Sequence, residues 1–385
     1  MARITSWRKC YIGIAALIFG LLASYYSYQS STYRKVKLNL NVIDLSKPGN
    51  FVTPKTTVHH FAMTKVSKTG STTMFGVLAR RIIQYKLNLV IPKSGAFLFW
   101  NRPNSWKIGP RSGRAEALIH HSLYNKTMMD EVLEPDYKYI ALAREPVSWF
   151  LSAINYYTPY LRKKKLLGHN LSLHQTPSAD YVVTNKNLLY APKSFGNAQT
   201  YFHLVQLQFT GFDYREKDNL SAINQHIASY ISNVDVIILT EVYDASLLIL
   251  KKRFSWSYQD IFYTKLVVGK PKHGPPISEK NRKTLLSPEV NLGDKLLYDR
   301  LNETWWKQPE LEDYYFWDEV AYFSQINLNL TKVWCPQALK SYNPVTIPES
   351  YWHEELTLSL RFCKLLIRFS SKKYKRLREY AFTKR

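Results

Sequence analysis

The chain has 385 residues, 45% of them hydrophobic, and a formal net charge of +24. That apolar content excludes a disordered chain and suits one large domain or two small ones, while only 3 cysteines exclude a disulfide-rich framework. The cation excess implies an acidic partner, whether nucleic acid, an anionic membrane or an anionic ligand.

Tyr11 to Tyr28 is an uncharged run with Ile12, Ile14, Leu17, Ile18, Phe19, Leu21 and Leu22, at the short end for spanning a bilayer. Tyr25, Tyr26 and Tyr28 suit an interfacial aromatic belt. Arg3, Arg8 and Lys9 precede the run and Arg34, Lys35 and Lys37 follow it, so flanking charge orients it only weakly. No clean small-x-small site follows, which favours a signal anchor over a cleaved leader. The expected layout is therefore a cytoplasmic tail (1–10), an anchor (11–28), a stem with Pro48 and Pro54 (29–54), a lumenal domain (55–340) and a basic C-terminal segment (341–385). Five N-x-[ST] sequons, at Asn125, Asn170, Asn219, Asn302 and Asn329, agree with a lumenal placement. The anchor, the sequons and the lack of a nucleic-acid-binding motif together disfavour nucleic acid as partner.

Val58, Phe61, Ala62 and Met63 read as a strand, and Met74, Val77, Leu78 and Ile82 repeat at helical spacing. Between them lies Lys65-Val66-Ser67-Lys68-Thr69-Gly70-Ser71-Thr72-Thr73. A strand, a lysine-bearing turn and a helix start form an anion cradle: backbone N–H groups converge, Lys68 adds charge, and Gly70 lets the backbone approach closely. The hydroxyls of Thr69, Ser71, Thr72 and Thr73 are expected as further donors. The spacing is not that of a Walker loop. Pro92 to Arg114 is loop-rich and carries Trp100 and Trp106, a candidate sugar-binding wall or ordinary loop packing.

Tyr139 to Ala143 reads as a buried strand ending at Arg144, Pro146 suits the first turn of a helix, and Ser152 follows about two turns later. Ligands of open α/β sheets bind at the strands' carboxyl ends, where an Arg fork and a Ser grip a phosphate. The alternative is an Arg capping a sheet end and a Ser on a solvated face. Residues 160–195, with Arg162-Lys163-Lys164-Lys165, read as a mobile basic insertion. Val234 to Leu239 is another buried strand; Glu241 at its end suits an ion pair or a substrate hydroxyl, and Asp244 a helix cap. Cys335 and Cys363 are open to one disulfide or two thiols. Leu356, Leu360, Phe362, Leu366, Ile367 and Phe369 among Arg and Lys suggest an amphipathic helix, docked on the core or on a membrane. Alternating strands and helices predict a parallel α/β sheet, and two separate phosphate grips on it suggest a nucleotide with two phosphate groups. No Cys/His cluster has metal-ligand spacing.

These residues resemble the galactose 3-O-sulfotransferase family of Golgi carbohydrate sulfotransferases. Lys68, Thr69, Gly70, Ser71 and Thr72 match the turn that binds the 5′-phosphosulfate of 3′-phosphoadenylyl sulfate in that family, and Arg144, Pro146, Val147 and Ser152 match its 3′-phosphate segment. Further similar blocks are Ala117 to His121, Val236 to Leu247 and Leu301 to Trp306, so the resemblance spans roughly 55–310. It implies a three-layer sulfotransferase fold related to P-loop proteins, no metal, Lys68 and His121 as catalytic residues, and a galactose-terminated glycan or glycolipid as acceptor. It further implies a single-pass Golgi membrane protein with a lumenal catalytic domain. One departure is Ser67, which stands where the family usually has His; a Ser needs a partner to act as base. His121 suits that work, since an unperturbed imidazole titrates at roughly 6.5, whereas His120 reads as core. Two rival readings are a Golgi glycosyltransferase, although no Asp-x-Asp triplet occurs, and a glycan-binding pseudoenzyme.

Overall fold

The computed structural model describes residues 56–167, 176–192, 198–264, 277–288, 290–368 and 373–382. The chain divides into two compact units, one comprising Val52–Pro348 with Glu355–Arg385, the other Met1–Phe51 with Glu349–Glu354. Of the second, only 349–354 is described, closed by a bond from the Ser350 amide to the His353 carbonyl at 2.8 Å. The anchor expected over 11–28 lies outside the described residues, among which no helix is long and apolar enough to cross a membrane.

The first unit is built on a sheet with six strands among the described residues: β1 (Phe61–Ala62), β2 (Leu89–Pro92), β3 (Trp106–Gly109), β4 (Ala117–Leu118), β5 (Lys138–Ala143) and β6 (Val236–Leu239), in the order β3-β2-β4-β1-β5-β6. All neighbours run parallel except β2 and β3, which pair antiparallel from Leu89↔Gly109 to Pro92↔Trp106. The strands are apolar on both faces because helices cover both; Val236 to Leu239 is wholly buried against Ile140 to Ala143. β3 falls within the stretch expected as loop. Its partner β2 is short, and an antiparallel return needs no crossover helix.

Helix α1 (Ser71–Tyr85) follows β1 and buries Met74, Phe75, Val77, Leu78 and Ile82. Helix α2 (Pro146–Lys163) follows β5, with Pro146 in its first turn and the Glu145 carboxylate accepting from the amides of Val147 and Ser148. Past it, 176–192 is not an appended insertion: Val182, Val183, Leu188 and Leu189 are buried in one cluster with Trp149, Phe150 and Tyr157. Short helix α3 (Val205–Phe209) precedes α4 (Leu220–Ile231), and β6 leads into α5 (Tyr243–Phe254). Asp244 does not cap α5, which starts without a side-chain cap. Its carboxylate instead accepts from the hydroxyls of Tyr263, at 2.6 Å, and Ser324. Asn125 and Asn219, two of the five sequon residues, do cap helices, accepting from Met128 and Ala222.

Helices α6 (Leu292–Trp306) and α7 (Phe316–Asn329) pack behind β6 and α5. Of the two placements expected for the C-terminal segment, its described part takes the core, as two strands and two helices rather than one helix. Strands β7 (Val345–Ile347) and β8 (Leu356–Leu358) pair, and helices α8 (Leu360–Arg368) and α9 (Lys373–Phe382) follow. Phe362 of α8 lies under the Arg80 guanidinium at 5.2 Å, and Cys363 is disulfide-bonded to Cys335. From α9, the Tyr374 ring packs tilted against Phe75 at 4.8 Å and Tyr380 donates to the Leu87 carbonyl at 2.9 Å. Where α9 crosses β3 only glycine fits, since a Cβ at Gly109 would come within 2.4 Å of the Ala381 carbonyl.

Candidate functional site

The turn after β1 uses left-handed backbone twice, at Lys68 (φ 67°) and Gly70 (φ 72°). For Lys68 that conformation costs about 1–2 kcal/mol and persists because the turn is tied down. The hydroxyls of Thr69 and Ser71 both donate to the Val66 carbonyl, the former at 3.1 Å. They are therefore not spare donors as the sequence suggested: a carbonyl folded inside the turn claims their protons, and what Thr69 and Ser71 offer a ligand is backbone N–H. Gly70 is needed twice over, for its φ and because a Cβ would lie 3.1 Å from the Tyr243 ring. Helix α1 starts without a side-chain cap; Thr73 and Met74 donate back to the Gly70 carbonyl, which leaves the Ser71 and Thr72 amides as the candidate anion donors.

Arg144 ends β5 beside this turn. Its Nη1 donates to the Lys68 carbonyl at 3.2 Å, and Trp149 of α2 donates to the neighbouring Ser67 carbonyl at 2.7 Å. The Lys68 amine sits 4.5 Å above the Tyr156 ring. Ser152, half-buried, is one turn earlier on the same helix face. Lys68 and Arg144 thus lie side by side at the sheet's carboxyl edge, and Ser152 is one helical turn from the tyrosine that the Lys68 amine covers. Burial lowers the Lys68 pKa, and the Arg144 charge lowers it further. Burial also lowers that of Arg144, against Glu241 and Glu145, which favour its charged form. Two cations pressed together without a full countercharge are primed for an anion. The Arg144 Nε, shielded from solvent, has no acceptor. Among the described residues Glu241 pairs with no lysine; it accepts from the Glu145 amide at 2.9 Å and the Tyr298 hydroxyl at 3.4 Å.

His121 reaches the same sheet edge from β4, because β1 and β4 stay in register past their ends: Met63 donates to the Leu118 carbonyl and Lys65 to that of His120, at 2.7 and 3.0 Å. The Lys65 amine, almost wholly buried, lies 3.2 Å from His121 Nε2, 3.0 Å from the Thr72 hydroxyl and 3.4 Å from that of Ser71. An ammonium can only donate, so Nε2 accepts and a neutral His121 carries its proton on Nδ1. The Phe97 ring flanks His121 at 5.0 Å, from the loop read as a candidate sugar wall. Trp100 of that loop is engaged in packing, donating to the Leu123 carbonyl at 2.8 Å. His120 is fully buried against Phe75 and Tyr374, and burial holds its pKa down to about 3. Among the described residues no cluster of three His, Cys, Asp or Glu side chains is placed to hold a metal ion.

The family model described as Galactose-3-O-sulfotransferase matches residues 2–333. The chain belongs to the galactose-3-O-sulfotransferase family. It is similar to galactose-3-O-sulfotransferase 3 of Mus musculus, 22% identical over 264 residues that cover 64% of this chain and 56% of that protein. The Homo sapiens protein of the same name is 22% identical over 259 residues, again 64% and 56% of the two chains. Galactosylceramide sulfotransferase of Bos taurus is 21% identical over 255 residues, with the same two shares. The chain thus spans little more than half the length of the curated relatives it matches.

Within this sulfotransferase-family chain, three side chains were not singled out by sequence. Lys65 lies in the first motif, and the signal was a lysine closing an apolar strand, where alternation places every second residue inward. Tyr156 and Gln206 gave no such signal, because their partners lie far off in sequence: Lys68 for Tyr156 and Arg144 for Gln206. Ser67, in the place of the family's usual His, shares a hydrogen bond with the buried Tyr157 phenol, whose pKa burial raises to about 12.

Proposed function

We propose that the chain transfers a sulfuryl group from 3′-phosphoadenylyl sulfate to a hydroxyl, the 3-hydroxyl of a galactose residue, on a glycolipid or glycoprotein glycan. The observation that carries this reading is the meeting of both phosphate grips, with the Arg144 guanidinium on the carbonyl of Lys68 at 3.2 Å. The turn amides of Thr69, Gly70, Ser71 and Thr72 with the Lys68 amine suit the 5′-phosphosulfate. Arg144 and Ser152 suit the 3′-phosphate.

In that role the S–O bond to the nucleotide phosphate breaks, a new S–O bond forms to the sugar oxygen, and adenosine 3′,5′-bisphosphate leaves. Such transfers are loose and in-line, so positioning and fixed charge do most of the work. Lys68 balances charge on the departing phosphate oxygen. His121 Nε2 takes the hydroxyl proton, which requires the acceptor to displace Lys65 from that nitrogen. Released from His121, Lys65 keeps its contact with Thr72 and adds a second cation beside the transferring group. The family match supports sulfuryl transfer to galactose over a glycosyltransferase activity. We place the enzyme in the Golgi membrane, single-pass and with its catalytic unit lumenal, on the apolar run at 11–28 and the sequons.

The deciding experiment incubates the protein with radiolabelled donor and a panel of galactosides. Label on the galactose 3-hydroxyl is the expected outcome; donor binding without transfer to any galactoside would make the chain a pseudoenzyme.

A further inference from the structure

β5 outruns β1 and ends level with β6 at the site, so the chain beyond Ala143 has no strand beside it. On one side β1 has already ended, its Ala62 opposite Tyr139; on the other, pairing with β6 stops at Ala143↔Leu239. Arg144 therefore leaves the sheet with its N–H and C=O unclaimed by any strand, and a strand end without partners frays. The side chain of Gln206 supplies both missing bonds. Its Oε1 accepts from the Arg144 amide at 2.9 Å and its Nε2 donates to the Arg144 carbonyl at 2.8 Å. A primary amide carries the same donor and acceptor as a peptide group, so one side chain stands in for an edge strand one residue long.

Gln206 is held in turn. It is 2% exposed, and its own amide and that of Leu207 donate to the two oxygens of Asp294, fully buried on α6, at 3.2 and 2.8 Å. Asn291 accepts from the Leu204 amide at 3.0 Å, fixing the left-handed entry to α3 at φ 49°. A rigid chain of contacts thus runs from α6 through α3 to the backbone of one arginine.

We propose that Gln206, seated on Asp294, is the positioning residue that aims Arg144 and so sets discrimination for the 3′-phosphate. The inference rests on the donor reading above. Gln206 touches no ligand itself: with the Arg144 backbone pinned by Gln206 and its Nη1 on Lys68, the remaining guanidinium donors keep one direction.

The test measures affinities of the full chain for adenosine 3′,5′-bisphosphate and adenosine 5′-phosphate, in wild type and in Gln206→Met. Losing two buried hydrogen bonds at Arg144 should shrink the preference for the bisphosphate about tenfold, while the monophosphate affinity stays within about twofold. A purely structural role would weaken both nucleotides in parallel, and an unchanged ratio of that kind overturns the proposal. Should Gln206→Met fail to fold, Gln206→Asn keeps the neutral amide but, one methylene shorter, reaches at most one of the two Arg144 backbone groups. Its preference should fall about threefold, and a wild-type ratio in it would overturn the proposal too. A wild type that shows no preference for the bisphosphate would instead sink the donor reading; a preferring wild type with an equally preferring Gln206→Met sinks the positioning role alone.

Discussion

The two proposed anion grips adjoin, with Arg144 on the Lys68 carbonyl, but are built in opposite ways. The turn from Lys65 to Thr73 is local: its hydroxyls satisfy its own carbonyl, its glycine sets its own backbone, and its donors are mostly main-chain N–H groups. The Arg144 grip is borrowed. Its backbone leans on Gln206, its guanidinium on the Lys68 carbonyl, and its charge is only partly offset by Glu241 and Glu145. A local grip tolerates change elsewhere but not within itself, whereas a borrowed one fails through residues that never touch the ligand.

The largest expected effect tests the local grip. Lys68→Ala should lower sulfate transfer by about a hundred- to a thousandfold, the loss typical of removing a charge donor from a developing anion, with the thermal midpoint preserved. Turnover within tenfold of wild type would show that the turn holds no catalytic charge.

Gly70→Ala should come next. A side chain at φ 72° facing the Tyr243 ring should destabilise the protein by about 1–3 kcal/mol and weaken nucleotide binding more than it weakens folding. Denaturant unfolding and nucleotide titration check both parts. Tyr243→Ala in the same chain removes the ring contact but not the strained φ, so only partial recovery is expected; full recovery would deny the backbone its role.

Acid stability compares the cores beneath the two grips. Burial, with the charges of Arg378 and Lys65, holds His120 near the first grip at about 3; burial and Lys217 hold His203, near the second, at about 4. Their folded pKa values are depressed, so the unfolded chain takes up protons first, from roughly 6.5 downward. Stability from each is complete above that value and is lost as pH falls. Asp294 opposes them: burial raises its pKa to about 7, so the folded state holds its proton and stability from it declines as pH rises. Between about pH 4.5 and 6.5 these two histidines, joined by His226, whose pKa burial also lowers, outweigh the one aspartate, so stability rises with pH. Thermal midpoints across that range should climb with pH, and His120→Phe should flatten the slope. A flat or falling wild-type profile would refute this.

The smallest effect belongs to the borrowed grip. Glu241→Gln keeps an acceptor for the Glu145 amide but removes a negative charge beside Arg144. Bisphosphate binding should tighten about two- to fivefold at low salt and converge with wild type at high salt. Weaker binding would mean that the carboxylate orients Arg144 rather than competing with the ligand.

The same contrast explains what was legible in the sequence. The turn could be read because strand, glycine and helix start are consecutive, and β5 with Arg144 because an apolar run ended in a cation ahead of Pro146. The central parallel sheet followed from the alternation of such segments. Gln206 and Tyr156 were not legible, since a polar or aromatic residue on a helix carries no local mark of a partner far along the chain. The protons of Thr69 and Ser71 were misread for a related reason: composition shows a hydroxyl but not the carbonyl that the folded turn places beneath it. β3 was hidden because four residues beside a short strand give too little periodicity to separate an edge strand from loop.

The most direct measurement of the central claim is a titration of adenosine 3′,5′-bisphosphate and adenosine 5′-phosphate into wild type, Lys68→Ala and Arg144→Ala. If the two segments hold opposite ends of one nucleotide, Lys68→Ala weakens both ligands, while Arg144→Ala weakens only the bisphosphate and brings it level with the monophosphate. Equal weakening of both ligands by Arg144→Ala, or no weakening of either, would contradict the account.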